Sequence, residues 1–376
     1  MDDSVKINRG LKGVYFERSG VSHIDGKKGE LLYRGYSIHD LASQASFEEV
    51  SYLLIHGELP NCTELEAFRA QFVQSPVPAE MRPILEALKG AHPMVALRTA
   101  VSALAGLEPA AGDASEEGFL QNGIRLMAQV PELIAMHHAL REGREPVRPR
   151  ADLSLAGNWL WMLKGEEPSA EATRLADVDF VLHAEHGANA SAFAARVTVG
   201  TEADIHGAIT TALATLAGPA HGGAAEDVMK MVEEIGSPEN AAAYVKAKRA
   251  NREAVTGFGH RVYRAEDPRA RHMREGVAQL SREMGQPHWY EILEAVVEAM
   301  KPYARHGLNV NVDFYSGVIY QLHGIPKDLY VPIFAIGRMP GWIIQCLEQR
   351  RQNILIRPLT LYNGPEPRPW QPMDAR

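Results

Sequence analysis

Apolar residues recur at spacings of three and four over residues 38–60 and again over 62–71, which sets them on one face of a helix. The same periodicity predicts helices over 92–104, with Pro93 in a first turn that needs no N–H there, and over 120–142, 154–163 and 170–186. Residues 205–216 carry no Asp, Glu, Lys or Arg and read as a buried helix, which Gly218-Pro219 breaks. Residues 224–234 form the next helix, ended by a cap at Gly236, and Ser237-Pro238-Glu239 starts a more polar one over 240–254. Helices over 289–304, from just after Asp313 to His323, and over 332–349 complete the set. Only the first 40 residues differ, where short apolar runs between Gly26, Gly29 and Gly35 suggest a small hairpin. The predicted class is all-α with a short N-terminal hairpin.

A chain of 376 residues exceeds the size at which single cores usually stop growing, so two domains are expected. The more charged block 223–324, lying between apolar helical regions, is the candidate for the second, leaving 1–222 and 325–376 as the first. With 45% apolar and 23% charged residues, and no apolar run long enough to span a bilayer, the composition is that of an ordinary soluble protein. The first ten residues lack a charged-then-apolar leader pattern, so a cytoplasmic location is expected. Cys62 and Cys346 belong to no C-x-x-C pair, which excludes a disulfide framework. A formal charge of -8 argues against nucleic acid as the main partner, so arginines must draw any anionic ligand locally.

The stretch 257–269, GFGHRVYRAEDPR, gathers such arginines: Arg261, Arg264 and Arg269 follow Gly257, Gly259 and His260. It is not a dinucleotide fingerprint, because Val262 stands where the third glycine would be. His221, in GPAHGG, sits in a tight turn at a helix start, where the positive helix end disfavours the cationic ring. Neighbouring arginines act on His260 in the same sense, so both rings suit the polarising of a carbonyl. Asp313, in NVDFYSG, reads either as a helix N-cap or as a general base made more basic by apolar neighbours. Arg338 and Arg357 lie in apolar runs and call for an anion or for a structural ion pair, with Glu348 one acid available. His183 and His186, with Glu185 between them, do not match H-E-x-x-H, and a hydrogen-bonded histidine is the alternative to a metal ligand. No nucleophile elbow is present, and Cys346 lies in an apolar helix. Two histidines, one acid and several arginines fit proton abstraction next to a carbonyl on a multiply charged acid.

These segments, in this order, resemble the citrate synthase family in its short bacterial and archaeal form: SHIDGKKGELLYRGYSI, AHPMVALRTAVSAL, LHAEHGANAS, GPAHGG, GFGHRVYRAEDPR, NVDFYSG, PIFAIGRMPGW and IRP. The resemblance implies a large helical domain interrupted by a smaller one that closes over the substrates. It implies that Asp313 takes a methyl proton from acetyl-CoA, that His221 hydrogen-bonds the thioester oxygen, and that His260 polarises and protonates the keto oxygen of oxaloacetate. His186, Arg269, Arg338 and Arg357 would bind oxaloacetate, with Arg357 supplied by the other subunit of a homodimer. Arg264 would meet a coenzyme A phosphate, and the backbone of Val255, Gly257, Phe258 and Gly259 the adenine. No tightly bound cofactor and no metal are implied; coenzyme A enters as the thioester substrate.

The sequence departs from the family pattern at Ala225, where GPxHGG is usually followed by Ala-Asn, and in the poorly basic LTLYNG after Pro358. The extra N-terminal domain of the NADH-regulated form is not expected. The rival readings are a 2-methylcitrate synthase using propionyl-CoA, a metal-dependent hydrolase built on His183 and His186, and a non-catalytic helical ligand-binding protein.

Overall fold

The computed structural model describes residues 6–376, so the start of the segment read for a leader lies outside it. Among the described residues there are sixteen α-helices and one three-stranded antiparallel sheet. Its strands, β1 (Ser22–Asp25), β2 (Glu30–Tyr33) and β3 (Tyr36–Ser37), pair in chain order, with Ser22 opposite Tyr33 and Tyr33 opposite Tyr36. This is the predicted hairpin, and its turn is pressed onto residues 262–266. A Cβ on Gly26 would lie 2.3 Å from the Val262 carbonyl oxygen, and the Gly26 carbonyl accepts from the Arg264 amide at 2.7 Å.

The run predicted over 38–60 divides into α1 (Ile38–Gln44) and α2 (Phe47–His56), followed by α3 (Cys62–Val73). The division falls at Ser46, whose hydroxyl accepts from the Glu49 amide while the Glu49 carboxylate takes the Ser46 amide. Such a capping box interrupts the backbone without disturbing the apolar spacing, so periodicity alone runs through it. Three helices are additions to the predicted set: α4 (Met81–Ala87), α9 (Ala190–Val199) and α13 (Ala270–Glu283). The remainder of the first half is α5 (Pro93–Leu107), α6 (Glu116–Arg141), α7 (Leu155–Lys164), α8 (Ala170–His183) and α10 (Ile205–Leu216). Helix α8 stops at His183, so His186 stands on a loop and not on the predicted helix.

Next come α11 (Ala224–Ile235), α12 (Ala241–Ala250), α13 (Ala270–Glu283), α14 (His288–Met300), α15 (Asp313–Leu322) and α16 (Tyr330–Arg351). Gly236 ends α11 at φ 70°. The start signal at Ser237 yields a 3-10 turn over Pro238–Asn240 without a side-chain cap, so α12 is shorter than expected. Helix α16 is buried along most of its length and packs against α6, α8, α9 and α10. Helices α11 to α15 pack on one another, closest where a Cβ on Gly317 would meet the Ala225 carbonyl oxygen at 2.4 Å. Ala225 is thus buried against α15. Beyond α16 the chain runs without regular structure to residue 372, exposing Ile354, Leu359, Tyr362 and Trp370.

Candidate active site

The loop over 255–260 owes its course to two glycines in the left-handed region, Gly257 at φ 81° and Gly259 at φ 86°. A Cβ on Gly257 would also lie 2.5 Å from the Phe314 ring. The loop pairs with the segment that leads into α15: the Gly259 amide donates to Asn309 at 2.7 Å, the Asn311 amide to Gly257 at 3.0 Å, and Phe258 bridges Val310. His260 and Asp313 therefore hang from one two-stranded patch. His260 Nδ1 accepts from the backbone amides of Val262 at 3.1 Å and Tyr263 at 3.2 Å. Those fixed donors place the proton of the neutral ring on Nε2. Burial, and then Arg269, lower its pKa to about 4, so the ring is neutral near pH 7.

His186 and Tyr263 complete this corner. The His186 ring centroid lies 5.2 Å from that of His260, and its Nε2 is 3.1 Å from the Tyr263 hydroxyl. Burial, followed by Arg269, holds His186 well below the usual histidine range. Arg269 is 4% exposed and forks onto Asp267, Nε to Oδ1 at 2.9 Å and Nη2 to Oδ2 at 2.7 Å. Burial works against its charge, but Asp267 outweighs burial and its pKa moves up. With that edge occupied, Nη1 and the second N–H of Nη2 are the parts of Arg269 left for a ligand. Arg338, 2% exposed on α16, is different. Its Nε donates to the His183 carbonyl and its guanidinium lies 4.7 Å from the Phe334 ring centroid, but no carboxylate pairs with it among the described residues. Glu348, the acid weighed as its partner, pairs with Arg196 at 3.3 Å. Burial lowers the Arg338 pKa to about 10 while Glu185 opposes the shift. A buried cation without a counter-ion is a place for an anion.

His221 lies in the turn between α10 and α11, yet its ring reaches the first turn of α9. The Ser191 amide donates to Nε2 at 3.3 Å, and the Ser191 hydroxyl lies 2.9 Å from the same nitrogen. The backbone donor makes Nε2 the acceptor and leaves the proton on Nδ1. Burial, then Arg338, lower this pKa to about 4 as well. Asp313 is the first residue of α15; its side chain caps nothing and makes no hydrogen bond among the described residues. Burial raises its pKa, with His183 and Arg269 pulling the other way. The field of Arg269 thus reaches His186, His260 and Asp313, and that of Arg338 reaches His186 and His221. The cluster joins a carboxyl of raised pKa, two neutral imidazoles and two cations.

The profile described as "Citrate synthase, C-terminal domain" matches residues 10–359. The chain belongs to the citrate synthase family. It is 45% identical over 374 residues to "Citrate synthase 2" of Bacillus subtilis (strain 168), covering 98% of this chain and 99% of that one. It is also 39% identical over 378 residues to "2-methylcitrate synthase 2" of Corynebacterium glutamicum, covering 98% of each. The crystal structure of citrate synthase from Pyrobaculum aerophilum superposes with a TM-score of 0.94 at 36% identity, covering 98% of this chain and 95% of that one. The citrate synthase of Thermoplasma acidophilum, solved as a ternary complex with carboxymethyl coenzyme A and oxaloacetate, gives 0.92 at 29% identity, covering 98% and 99%. Family, relatives and fold make this citrate synthase family member an enzyme that transfers an acetyl group from coenzyme A and forms citrate.

Other expected residues stand apart from the cluster. Arg357 is exposed in the segment beyond α16 and contacts nothing that would bring it to the site of its own chain. Arg264 is exposed beside Gly307, and its backbone carbonyl accepts from Asn309 Nδ2 at 2.8 Å. Val255 is buried and Phe258 meets Phe314 edge to face, with 4.9 Å between ring centroids. The Gly259 amide and the Gly257 carbonyl are used by the pairing, so the loop offers a coenzyme only the rest of its backbone. Arg261 reaches the Gly10 carbonyl at 3.3 Å. His183 Nδ1 lies 2.8 Å from the Asp179 carbonyl oxygen and 3.2 Å from its carboxylate. The cluster also contains Tyr263, Asp267, Ser191 and Trp342. Asp267 carries a signal, an acid two residues before an arginine; for the other three nothing in the spacing marks them.

Proposed function

We propose that this cleft condenses acetyl-CoA with oxaloacetate, using Asp313 as base and His221 and His260 as neutral hydrogen-bond donors. Asp313 takes a proton from the thioester methyl group while the Nδ1–H of His221 holds the thioester oxygen, giving the enol or enolate. Its carbon attacks the keto carbon of oxaloacetate, whose oxygen receives the Nε2 proton of His260; water then hydrolyses citryl-CoA to citrate and coenzyme A. The oxaloacetate carboxylates meet Arg338 and the open edge of Arg269, with His186 beside the keto group and Arg357 arriving from a second subunit. The adenine and a phosphate of the coenzyme lie along Val255–Gly259 and at Arg264. One observation supports this reading above the others: fixed backbone donors lock one nitrogen of each histidine and leave the other as a donor, while Arg269 acts on both His260 and the raised Asp313 carboxyl.

The domain reading goes with it. Residues 223–324 carry His260, Arg269 and Asp313 and close on 1–222 and 325–376, which would exclude water while the enolate exists. The apolar residues exposed beyond α16 favour a homodimer in which that segment lies on the partner. Among the described residues no helix is long and apolar enough to cross a membrane, and we place the enzyme in the cytoplasm. The test is release of free thiol on adding acetyl-CoA and oxaloacetate in the presence of a chelator. Absence of thiol would overturn the reading, and loss of activity to the chelator would favour a metal-dependent hydrolase. Higher efficiency with propionyl-CoA would assign the chain to 2-methylcitrate synthesis, since one methylene is worth only about 1–3 kcal/mol in a pocket.

A further inference from the structure

The Ser191 hydroxyl has one proton and two acceptors within reach, Nε2 of His221 at 2.9 Å and Oδ1 of Asn189 at 2.8 Å. Asn189 caps α9, and its Oδ1 already receives the Ala192 amide at 3.1 Å. A third neighbour sets how strongly it donates. The indole Nε1–H of Trp342, fully buried on α16, donates to the Ser191 oxygen at 3.0 Å. An indole only donates, so it occupies a lone pair of that oxygen, and a hydroxyl that accepts a bond becomes the stronger donor. We infer that Trp342 is a positioning residue for the condensation: through the Ser191 hydroxyl it holds Nε2 of His221 as an acceptor and keeps the proton on Nδ1.

The bond matters most as the thioester oxygen gains charge. Donors at Nε2 draw electron density from the ring and make Nδ1–H the stronger donor to the enolate oxygen. If the Ser191 proton turns to Asn189, a serine lone pair faces Nε2, and only the Ser191 amide at 3.3 Å is left to hold that nitrogen as the acceptor. Through buried Trp342 and Ser191, a residue on α16 sets the orientation of half-buried His221, a group supplied by the α10–α11 turn. The inference rests on the role proposed for His221.

A double-mutant cycle tests it. Trp342→Phe keeps an aromatic ring and removes the N–H; kcat should fall about tenfold, with the KM for oxaloacetate unchanged. Ser191→Ala should lower kcat similarly, and Ser191→Thr, which restores a hydroxyl, should recover most of it. In the Ser191→Ala background, Trp342→Phe should have little further effect. Equal losses in both backgrounds would mean that Trp342 acts by packing alone, and the inference would fall. If Trp342→Phe does not fold, benzothienylalanine placed at position 342 keeps the ring shape without the donor; unchanged kcat there would also overturn it. His221→Ala separates the two readings. If His221→Ala retains turnover, the role of His221 itself fails, whereas an inactive His221→Ala with an additive cycle removes only the part assigned to Trp342.

Discussion

Asn311 clamps Gly259: its side-chain amide donates to the Gly259 carbonyl at 3.1 Å, while its backbone amide donates to the Gly257 carbonyl at 3.0 Å. Because Gly259 precedes His260 and Asn311 lies two residues before Asp313, these bonds set the spacing between the proposed acid and base. Asn311→Ala removes the side-chain bond and leaves the Gly259 carbonyl to find another donor. The expected loss is about 1–3 kcal/mol of stability in urea unfolding, together with a lower kcat at saturating substrate. An unchanged kcat would show that backbone pairing suffices to hold the two residues in register.

Asp313→Asn should abolish thiol release and leave oxaloacetate binding, measured by calorimetry, largely intact. Its effect on stability separates a base from a cap. In the folded chain burial holds the Asp313 carboxyl above its ordinary range. Between the unfolded and folded pKa values the folded chain binds the extra proton, so stability falls as pH rises through that window and the deficit persists at pH 7. Asn removes that deficit, and the melting temperature at pH 7 should stay the same or rise. A clear fall would indicate a structural cap.

Asp267→Asn tests the fork on Arg269. Both side chains are buried, Asp267 at 1% exposure and Arg269 at 4%, so the substitution leaves a guanidinium without its counter-ion. The loss should be about 3–5 kcal/mol. Oxaloacetate, itself an anion, should then bind Asp267→Asn more tightly and raise its melting temperature by more than that of the parent at the same free ligand concentration. An equal rise in both proteins would show that the ligand does not meet Arg269.

Periodicity carried the helical class because most helices pack one apolar stripe on a core, and α10, free of charged residues, falls where its composition places it. It could not show the break at Ser46, where a capping box ends one stripe and starts another in phase. The chemistry divides in a similar way. His221, His260 and Asp313 stand out by residue type beside glycine turns and an apolar run. Which ring nitrogen carries the proton depends on the Val262, Tyr263 and Ser191 amides, and two of these pairings are made only by the local turn after His260. The third joins α9 to the turn before α11, a tertiary contact that no spacing records. The glycines at 257 and 259 invite a ligand reading, yet their left-handed backbone and the Phe314 ring already require them.

Arg357 is best tested by mixing two inactive variants. It lies exposed six residues beyond the end of α16, whereas Asp313 begins α15 within its own chain. If each site of a two-fold dimer takes Asp313 from one subunit and Arg357 from the other, Arg357→Ala and Asp313→Asn homodimers are both inactive. In a hybrid dimer one site then receives both damaged residues and the other receives none. Random reassociation of an equal mixture makes half the dimers hybrid with one good site in two, so activity should return to roughly a quarter of the parent value. Recovery must follow subunit exchange, read by native mass spectrometry of differently tagged chains. Complete exchange without recovered thiol release would place Arg357 in its own subunit's site or outside the site altogether.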